Sequence, residues 1–454
     1  MGTYLNPGKE QFERAVHSRI YVDKTGMLSC LNAVINTEQK YVAVSRPRRF
    51  GKTMAANMIC AFYDKTAASK ELFEGMAVAK DFAKHPGQRS SDRFEVAGSL
   101  DDAAKRQAEE SAGRTQSGWD RYLNRFNVVR INMIDFVSRS RDIGKCIELL
   151  QKRVLKELCR NFQEVDFFDA DDLMFSMEDI YHQTGQQFVI VIDEWDCIFR
   201  EFKEDTDGQR LYLDFLRDWL KDKSYIALAY ITGILPIKKY GQHSALNMFG
   251  EYSMLQPQQL AEYAGFTEPE VREICELYEL DFEQVRDWYD GYRLRGAIPV
   301  SERKAAKSGE YEGNLFSIYS PVSVVNSALN GNLCNYWNET ETAEALKEYI
   351  RRNYDGLKED VAVLMQVRRI PCDVTTYQND MTTFHSKDDI FTLLIHLGYL
   401  GYDSVTKEIF IPNREVEDVF RQTTKGEEWD YLFQTLERSQ KLLEATWNGN
   451  TGGI

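Results

Sequence analysis

The stretch SRPRRFGKT, residues 45–53, ends like a nucleotide-binding phosphate loop but begins differently. Such loops read G-x-x-x-x-G-K-[ST], and Arg46 stands here in the place of the first glycine. Gly51, Lys52 and Thr53 supply the tight turn, the positive charge for the β- and γ-phosphates and the hydroxyl for Mg²⁺. The β-branched run YVAVS precedes the loop and the helical pattern MAANMICAFYD follows it. Strand, loop and helix therefore stand in the order that a phosphate loop requires.

The missing first glycine is the main objection to a nucleotide site. Pro47 fixes its own φ and favours an extended conformation at Arg46, which compensates in part for the lost glycine. Arg48 and Arg49 then face either the phosphates or the solvent and a partner surface. We assign ATP binding to the whole stretch, namely Arg46, Pro47, Arg48, Arg49, Phe50, Gly51, Lys52 and Thr53.

An acidic pair ends a second apolar run, FVIVIDE, at residues 188–194. In P-loop ATPases the aspartate of such a strand holds Mg²⁺, and the next glutamate polarises the attacking water. We therefore assign Asp193 and Thr53 to the metal. Glu194 is assigned as the general base and Lys52 as the catalytic charge on the phosphates. A buried strand that ends in ordinary solvated acids is the alternative.

A third apolar run, YIALAYITG at residues 225–233, ends in a threonine and a glycine. In AAA-like ATPases a polar residue at the end of the strand beside the acidic strand senses the γ-phosphate or holds the lytic water. Thr232 is the candidate for this catalytic position. A strand-end hydroxyl that satisfies nearby backbone groups is the alternative.

Apolar runs of strand length alternate with helical patterns up to about residue 255. This alternation predicts a parallel α/β sheet flanked by helices, with its ligand site at the carboxyl ends of the strands. Near the C-terminus the order helix, strand, turn, strand, helix is the outline of a winged helix. We predict an N-terminal segment at 1–40 and a P-loop, AAA-like ATPase domain at 41–255, with a mobile insertion at 84–118. After this domain we predict three further parts. They are a mostly helical region at 256–345, a winged-helix-like segment at 346–425 and a C-terminal helix or truncated linker at 426–454.

Composition excludes several classes of protein. Of the 454 residues, 43% are apolar, which excludes a mostly disordered chain, and no run reaches the ~20 apolar residues of a membrane span. The N-terminus lacks the layout of a signal peptide, so we predict a cytoplasmic protein without membrane contact. Eight cysteines stand singly, without metal-ligand spacing. A net charge of −15 argues against nonspecific nucleic-acid binding by the whole surface, but leaves room for a local basic patch.

Short motifs along nearly the whole chain resemble a predicted AAA-ATPase-like family that is widespread in bacteria. Its members spell the phosphate loop R-P-R-R-F-G-K-[ST], as this chain does. The matching motifs are YVDKT (21–25), RPRRFGKT (46–53), LFEGM (72–76), IDEWD (192–196), TGILPIKKYG (232–241), GFTEPEV (265–271), WYDGY (288–292), YSPVSVVN (319–326) and YWNET (336–340).

The resemblance implies an ATP-binding P-loop domain followed by a helical region and a winged-helix-like segment. It places Lys52 and Thr53 at the phosphate and Mg²⁺ positions, and Asp193 and Glu194 at the acidic pair. The cofactors implied are ATP and Mg²⁺.

Two features of the resemblance stand apart from the nucleotide site. Asp23 and Lys24 match an N-terminal family motif, for which a salt-bridged start of a strand or helix is the alternative to a functional role. Family members commonly continue into a nuclease-like domain of the PD-(D/E)XK type. The C-terminal part of this chain shows no such motif, so nuclease activity is not expected of it.

Three functions remain open at this point. The first is an ATPase in which hydrolysis with Mg²⁺ moves the helical and winged-helix-like regions. The second is a nucleotide-dependent switch with little hydrolysis that contacts DNA or protein through the C-terminal region, where Arg414 and Lys407 are candidate phosphate contacts. The third is a small-molecule kinase. The pair Asp193 and Glu194 argues against it, because this pair suits the activation of water better than the binding of a substrate hydroxyl. Oligomerisation is compatible with each.

Overall fold

The computed structural model describes residues 2–84, 118–237, 246–298, 314–337, 342–366, 369–379, 381, 384–426, 429 and 431–435. The predicted insertion at 84–118 lies outside these residues except for its two ends, as does most of the predicted C-terminal segment at 426–454. The chain forms two compact units. Unit 1 comprises the described residues of Met1–Arg46, Gly51–Ala264 and Arg295–Leu315, and unit 2 those of Pro47–Phe50, Gly265–Leu294 and Phe316–Ile454.

A parallel sheet of five strands forms the centre of unit 1. Its strand order is β2-β3-β4-β1-β5, and every neighbouring pair is parallel. Strands β1, β3 and β4 are buried along their whole length, as expected for apolar runs covered on both faces. The strands are β1 Tyr41–Ser45, β2 Asn127–Asn132, β3 Phe188–Asp193, β4 Ile226–Gly233 and β5 Gly250–Tyr252.

Helices follow the strands in the alternation that the sequence predicts. Three of them begin at an aspartate, Asp142, Asp172 or Asp205, whose side chain accepts a hydrogen bond from a backbone N–H of the first turn. Among the described residues of unit 1 the helices are α1 Glu10–Val16, α2 Gly26–Val34, α3 Lys52–Tyr63, α4 Lys70–Phe73, α5 Ala77–Lys84, α6 Ile134–Val137, α7 Ile143–Asn161, α8 Leu173–Thr184, α9 Cys197–Glu201 and α10 Thr206–Leu220. Within the described part of the chain, no helix combines the length and apolar character needed to cross a membrane.

The N-terminal segment lies antiparallel along β2, which is an outer strand of the sheet. Leu5 forms a β-bridge with Val129, and the backbone N–H of Arg130 donates to the carbonyl of Tyr4 at 2.8 Å. Glu157 on α7 accepts hydrogen bonds from the backbone N–H groups of residues 3, 4 and 5. The segment is therefore held by both the sheet and a helix.

The chain after the central sheet is mostly helical, as predicted, but it also contains two small sheets of three strands. One has the order β6-β8-β7, with β6 Phe266–Thr267, β7 Tyr292–Arg295 and β8 Leu315–Tyr319. The other has the order β10-β11-β9, with β9 Ile370–Pro371, β10 Gly401–Asp403 and β11 Glu408–Phe410. The described helices are α11 Glu268–Leu277, α12 Phe282–Tyr289, α13 Pro321–Asn330, α14 Thr342–Arg352, α15 Leu357–Leu364, α16 Lys387–Leu397 and α17 Arg414–Thr423.

The C-terminal region has the predicted order of helix, strand, turn, strand and helix, formed by α16, β10, β11 and α17. The strands β10 and β11 pair antiparallel, from Gly401 with Phe410 to Asp403 with Glu408. Strand β9 adds to β11 and was not part of the sequence prediction. The likeness to a winged helix stays a prediction.

A buried carboxyl group in unit 2 ties α17 to two other segments. Glu415 is 1% exposed and accepts hydrogen bonds from the Ser323 hydroxyl at 2.8 Å and the Tyr336 N–H at 2.7 Å. Burial raises the pKa of Glu415 to about 7, although these hydrogen bonds and the nearby charge of Arg49 act in the opposite direction. The folded chain therefore retains a proton on Glu415 at a pH where the unfolded chain has released it.

We expect the stability of unit 2 to fall as the pH rises through this window. A folded pKa of about 7 lies above the usual glutamate value, so the stabilising effect of protonated Glu415 is complete below about pH 4.5 and lost as pH passes 7. The loss is about 2–4 kcal/mol, measured as the free energy of unfolding in urea from pH 4.5 to 8. Glu415→Gln removes this pH dependence, whereas Glu359→Gln at an exposed position retains it. An unchanged pH profile in Glu415→Gln would contradict the assignment.

Candidate functional site

The end of the phosphate loop positions a buried lysine at the start of α3. Gly51 has φ +83°, and a Cβ there would meet nothing within 4 Å, so the backbone conformation rather than space explains the glycine. Lys52 is 6% exposed, and its Nζ donates to the Arg46 carbonyl at 3.2 Å. Its Nζ also lies 3.9 Å from Oε1 of Glu194. Burial lowers the pKa of Lys52, and the neighbouring carboxylates oppose this effect.

Asp193 lies at the carboxyl end of β3, in register with Asn132 on β2 and Thr232 on β4. Its side chain is fully buried, and among the described residues its Oδ2 has no hydrogen-bond partner. Burial raises the pKa of Asp193, and the nearby Thr53 hydroxyl and the charge of Arg130 moderate the shift. A carboxylate oxygen without a hydrogen-bond donor, close to a hydroxyl, suits a hard cation such as Mg²⁺, which keeps most of its ligands as water and phosphate.

The structure describes no larger set of metal ligands elsewhere. No group of three or more His, Cys, Asp or Glu side chains with metal-binding geometry occurs among the described residues. The pair formed by Thr53 and Asp193 is the arrangement expected where substrate phosphates supply further ligands.

Glu194, the predicted general base, is held by two cations. Its backbone has φ +52°, an uncommon conformation for a residue with a side chain. Its carboxylate pairs with the Arg200 guanidinium and, at 3.9 Å, with the Lys52 ammonium. Burial is the largest effect on its pKa and raises it. The site therefore joins a basic carboxylate to the lysine of the phosphate loop.

Asp196 and Arg200 complete this cluster, and the sequence analysis assigned neither a role. Oδ2 of Asp196 accepts hydrogen bonds from the backbone N–H groups of Ile234 at 3.1 Å and Leu235 at 2.9 Å. The same oxygen lies 3.3 Å from Nε of Arg200. The sequence could have suggested this pair, because an acid and an arginine four positions apart are neighbours on the surface of a helix.

Gly233 shows how closely this cluster approaches β4. A Cβ on Gly233 would lie 2.3 Å from Oδ1 of Asp196 and 2.8 Å from Cδ1 of Trp195. No real side chain fits at these distances, so the glycine allows β4 to end against the acidic turn. The motifs IDEWD and TGIL thus meet in one packed arrangement.

Two predicted site residues are engaged with backbone carbonyls. The Thr232 hydroxyl donates to the Val44 carbonyl at 2.9 Å, which is the local role given above as its alternative. Arg46 is fully buried, and its guanidinium donates to the carbonyls of Ser45 at 2.8 Å and Tyr252 at 2.7 Å. Burial lowers the pKa of Arg46 to about 10. These contacts leave the ligand-binding assignments of both residues as predictions.

The middle of the loop, Pro47–Phe50, belongs to unit 2. Arg49 has φ +70° and donates a hydrogen bond to the Tyr336 carbonyl. Phe50 is 1% exposed, with its ring edge-on to Tyr292 at a centroid distance of 5.4 Å. Arg48 is partly exposed. The structure thus brings Lys52 and Thr53 to the acidic pair, and engages Arg46, Arg49 and Phe50 with protein groups.

The motif YVDKT has a structural role within unit 1. Asp23 accepts hydrogen bonds from the backbone N–H groups of Thr25 at 2.9 Å and Ala77 at 2.6 Å, and so joins the starts of α2 and α5. Lys24 donates to the Glu262 carbonyl at 2.7 Å. Both side chains therefore hold segments that are distant in sequence.

Comparison with known proteins identifies the family of the chain. A family model described as Predicted AAA-ATPase matches residues 8–242, which is more than half of the chain and includes both the phosphate loop and the acidic strand. The chain belongs to this AAA-ATPase-like family. The family predicted from the sequence motifs is confirmed, and the fold is that of a P-loop ATPase sheet with a mostly helical C-terminal region.

A curated relative of the AAA-ATPase-like chain is an uncharacterised protein from the vnfD 5′ region of Azotobacter chroococcum mcd 1. The two are 24% identical over 357 residues, which is 75% of this chain and 55% of that protein. The chain thus spans little more than half of the relative's length.

Two solved structures align with the chain over most of its length, at low similarity. The Aeropyrum pernix ORC2 protein, solved as ADPNP-ADP complexes, has a TM-score of 0.33 and 11% identity, covering 94% of this chain and 98% of its own. Cdc6p from Pyrobaculum aerophilum has a TM-score of 0.27 and 11% identity, covering 88% and 92%. At TM-scores this low, the fold class rests on the strand order of the chain itself.

Proposed function

We propose that this AAA-ATPase-like chain binds ATP with Mg²⁺ and hydrolyses it. The observation that supports the proposal best is the meeting of four side chains, two from each of two distant motifs. Lys52 lies 3.9 Å from Glu194, and the Thr53 hydroxyl lies beside Asp193, where it acts to lower the pKa of the carboxyl group. This is the set of groups that nucleoside-triphosphate hydrolysis requires.

Each of these groups has a distinct role in the proposal. Lys52 binds the β- and γ-phosphates with an ammonium already stripped of water by burial. Thr53 and Asp193 would hold Mg²⁺, which neutralises phosphate charge when it is bound. Glu194 takes the proton of the attacking water, a task that its raised pKa favours. A phosphate that engages Lys52 would also loosen the pair between Lys52 and Glu194.

The proposal includes a conformational change in the C-terminal region during the ATP cycle. The support is the division of the loop itself, since Pro47–Phe50 belong to unit 2 whereas Gly51 and the residues after it belong to unit 1. A shift of the loop on ATP binding would therefore move backbone atoms of both units.

Substitution of the loop lysine tests ATP binding. Lys52→Ala removes the charge that the proposal places on the β- and γ-phosphates, so we expect ATP affinity to fall by about tenfold to a hundredfold. Isothermal titration with ATP and Mg²⁺ measures the change. Lys156→Ala, on the exposed face of α7, is the matched control and should bind as wild type. Equal affinities in the two variants would exclude Lys52 from the site, and absence of any ATP turnover by wild type would exclude the ATPase.

A nucleotide-dependent switch with little hydrolysis is the second candidate. The observation that favours it is the pairing of Glu194 with both Arg200 and Lys52, which occupies the carboxylate that would activate water. A switch would contact DNA or protein through the C-terminal region, where Arg414 and Lys407 are exposed. Phosphate release measured with and without DNA separates the two functions, since rapid and saturable release is incompatible with a switch.

A further inference from the structure

Helix α7 of unit 1 presents a row of exposed cations on one face. Counted at 3.6 residues per turn, the cations fall within an arc of about 100° and extend over about 22 Å of the helix. The opposite face is apolar and buried in unit 1. We call the exposed side the basic face of α7, which is formed by Lys145, Lys152, Arg153, Lys156 and Arg160.

The fold neutralises little of this charge. Lys152 lies 3.9 Å from Glu148, and this is the one ion pair that the basic face forms with the described residues. Glu157, four positions after Arg153, instead accepts hydrogen bonds from the backbone of the N-terminal segment. The other cations of the basic face are therefore exposed without an acidic partner in the described part of the chain.

Three of the cations are spaced so that they repel one another. Lys152, Lys156 and Arg160 follow at intervals of four residues, so consecutive members are neighbours on the helix surface. Like charges at this spacing destabilise a helix. Exposed arginines on three other helices instead pair with a glutamate four positions earlier, namely Arg272, Arg352 and Arg421. A bound polyanion would relieve the repulsion along α7.

The net charge of −15 does not prevent the basic face from acting locally. At physiological ionic strength, exposed charges more than about 8 Å apart are largely screened from one another. A run of acids follows the helix, with Glu164 and Asp166 as its first members. The positive surface therefore ends where the helix ends, and its length is that of α7.

The chemistry of the basic face distinguishes among polyanions. A row of cations along one line suits a linear chain of phosphates. Single-stranded nucleic acids are usually held by stacking on aromatic side chains, and α7 contains no aromatic residue. Membranes take up a helix by an exposed apolar face, whereas the apolar face of α7 is buried in the protein. The backbone of a duplex fits best.

We propose that the basic face of α7 binds the phosphate backbone of a nucleic-acid duplex without reading its sequence. Each ammonium or guanidinium group contacts a phosphate and releases a counterion from it. The proposal concerns unit 1, whereas the candidate phosphate contacts Arg414 and Lys407 belong to unit 2. It does not depend on the proposed ATPase function.

Fluorescence anisotropy with a labelled DNA duplex of about 20 base pairs, in the absence of ATP, tests the basic face over a range of salt concentrations. The logarithm of wild-type affinity should fall with the logarithm of salt concentration with a slope of about −4 to −5, as five phosphate contacts predict. The triple variant Lys152→Gln, Lys156→Gln and Arg160→Gln should bind about tenfold or more weakly at low salt, with a slope less steep by about two to three.

A second triple variant makes the same change in net charge at exposed cations of three other helices, and it should bind as wild type. It combines Arg14→Gln, Lys80→Gln and Arg351→Gln. Circular dichroism checks that both variants retain the helical content of wild type.

The remaining arms of the experiment define the partner. An RNA duplex of the same sequence shows which backbone is held more tightly, and a preference for either one supports the proposal. The proposal is overturned if wild type binds neither duplex, or if the two triple variants bind alike, which would assign the contact to another surface. It is also overturned if polyglutamate or vesicles rich in phosphatidylserine bind wild type more tightly than both duplexes, since the partner would then be an acidic protein or a membrane.

Discussion

Glu194→Gln is expected to lower the rate of ATP turnover by about 10²- to 10⁴-fold, the usual contribution of a general base. Glutamine retains the size and the hydrogen-bonding oxygen of the side chain but cannot accept a proton from water. ATP affinity should not weaken, because Lys52, 3.9 Å from the glutamate in the native chain, loses a competitor for the phosphates. Steady-state phosphate release at saturating ATP and equilibrium binding measure the two quantities separately.

The matched control for this change is Glu204→Gln, an exposed residue of the same unit that lies outside the cluster. It should release phosphate at the wild-type rate. Wild-type turnover in Glu194→Gln would remove Glu194 from its role and direct attention to another base. Loss of ATP affinity in Glu194→Gln would instead indicate that the pair of Glu194 with Lys52 holds the lysine in its binding position.

Asp196→Ala is expected to lower the free energy of unfolding of unit 1 by about 3–5 kcal/mol, because it removes one partner of a buried ion pair and the acceptor of two interior N–H groups. The Arg200 guanidinium, 9% exposed, loses its carboxylate contact at 3.3 Å and keeps only the one with Glu194. The change also leaves the N–H groups of Ile234 and Leu235 unpaired in the interior. Urea denaturation monitored by far-ultraviolet circular dichroism measures the loss.

Two further variants place this result in context. Asp196→Asn retains an oxygen for the two N–H groups, so it should lose less stability than the alanine variant. Asp218→Ala, at an exposed position of α10, should stay within about 0.5 kcal/mol of wild type. If Asp196→Ala matched Asp218→Ala, the hydrogen bonds to Ile234 and Leu235 would contribute nothing to stability.

The central sheet could be predicted from the sequence because its strands are nearly continuous apolar runs. In β3 and β4 every residue is buried, and the residues that the sequence singled out lie at the strand ends: β3 ends at Asp193, and β4 ends one residue after Thr232. Parallel strands in register then bring these ends together. The contact of the phosphate loop with the acidic pair follows from the same rule for strand ends.

The short strands and the side-chain partners could not be predicted. Strand β5 has three residues and no fully buried position, so no pattern marks it. From the sequence, Arg46 is expected to contact solvent or phosphate, because it lies in a basic loop. In the structure its guanidinium is buried and donates to the carbonyl of Tyr252, which is about 200 positions away in the chain. Such pairs depend on how distant segments pack, which local composition does not record. The roles of Arg48 and of the other loop residues toward ATP stay predictions.

The N-terminal segment along β2 has a consequence for self-association. An outer strand presents a row of N–H and C=O groups that another chain can join, and proteins usually cover or blunt such a strand. Here Leu5 and the residues beside it form hydrogen bonds with those groups on β2. Glu157 on α7 accepts hydrogen bonds from the backbone of the same N-terminal segment and holds it in place. A fusion tag or a deletion that displaces this segment would leave N–H and C=O groups of β2 unpaired and open to another chain. The protein would then be prone to aggregate even with its nucleotide site intact.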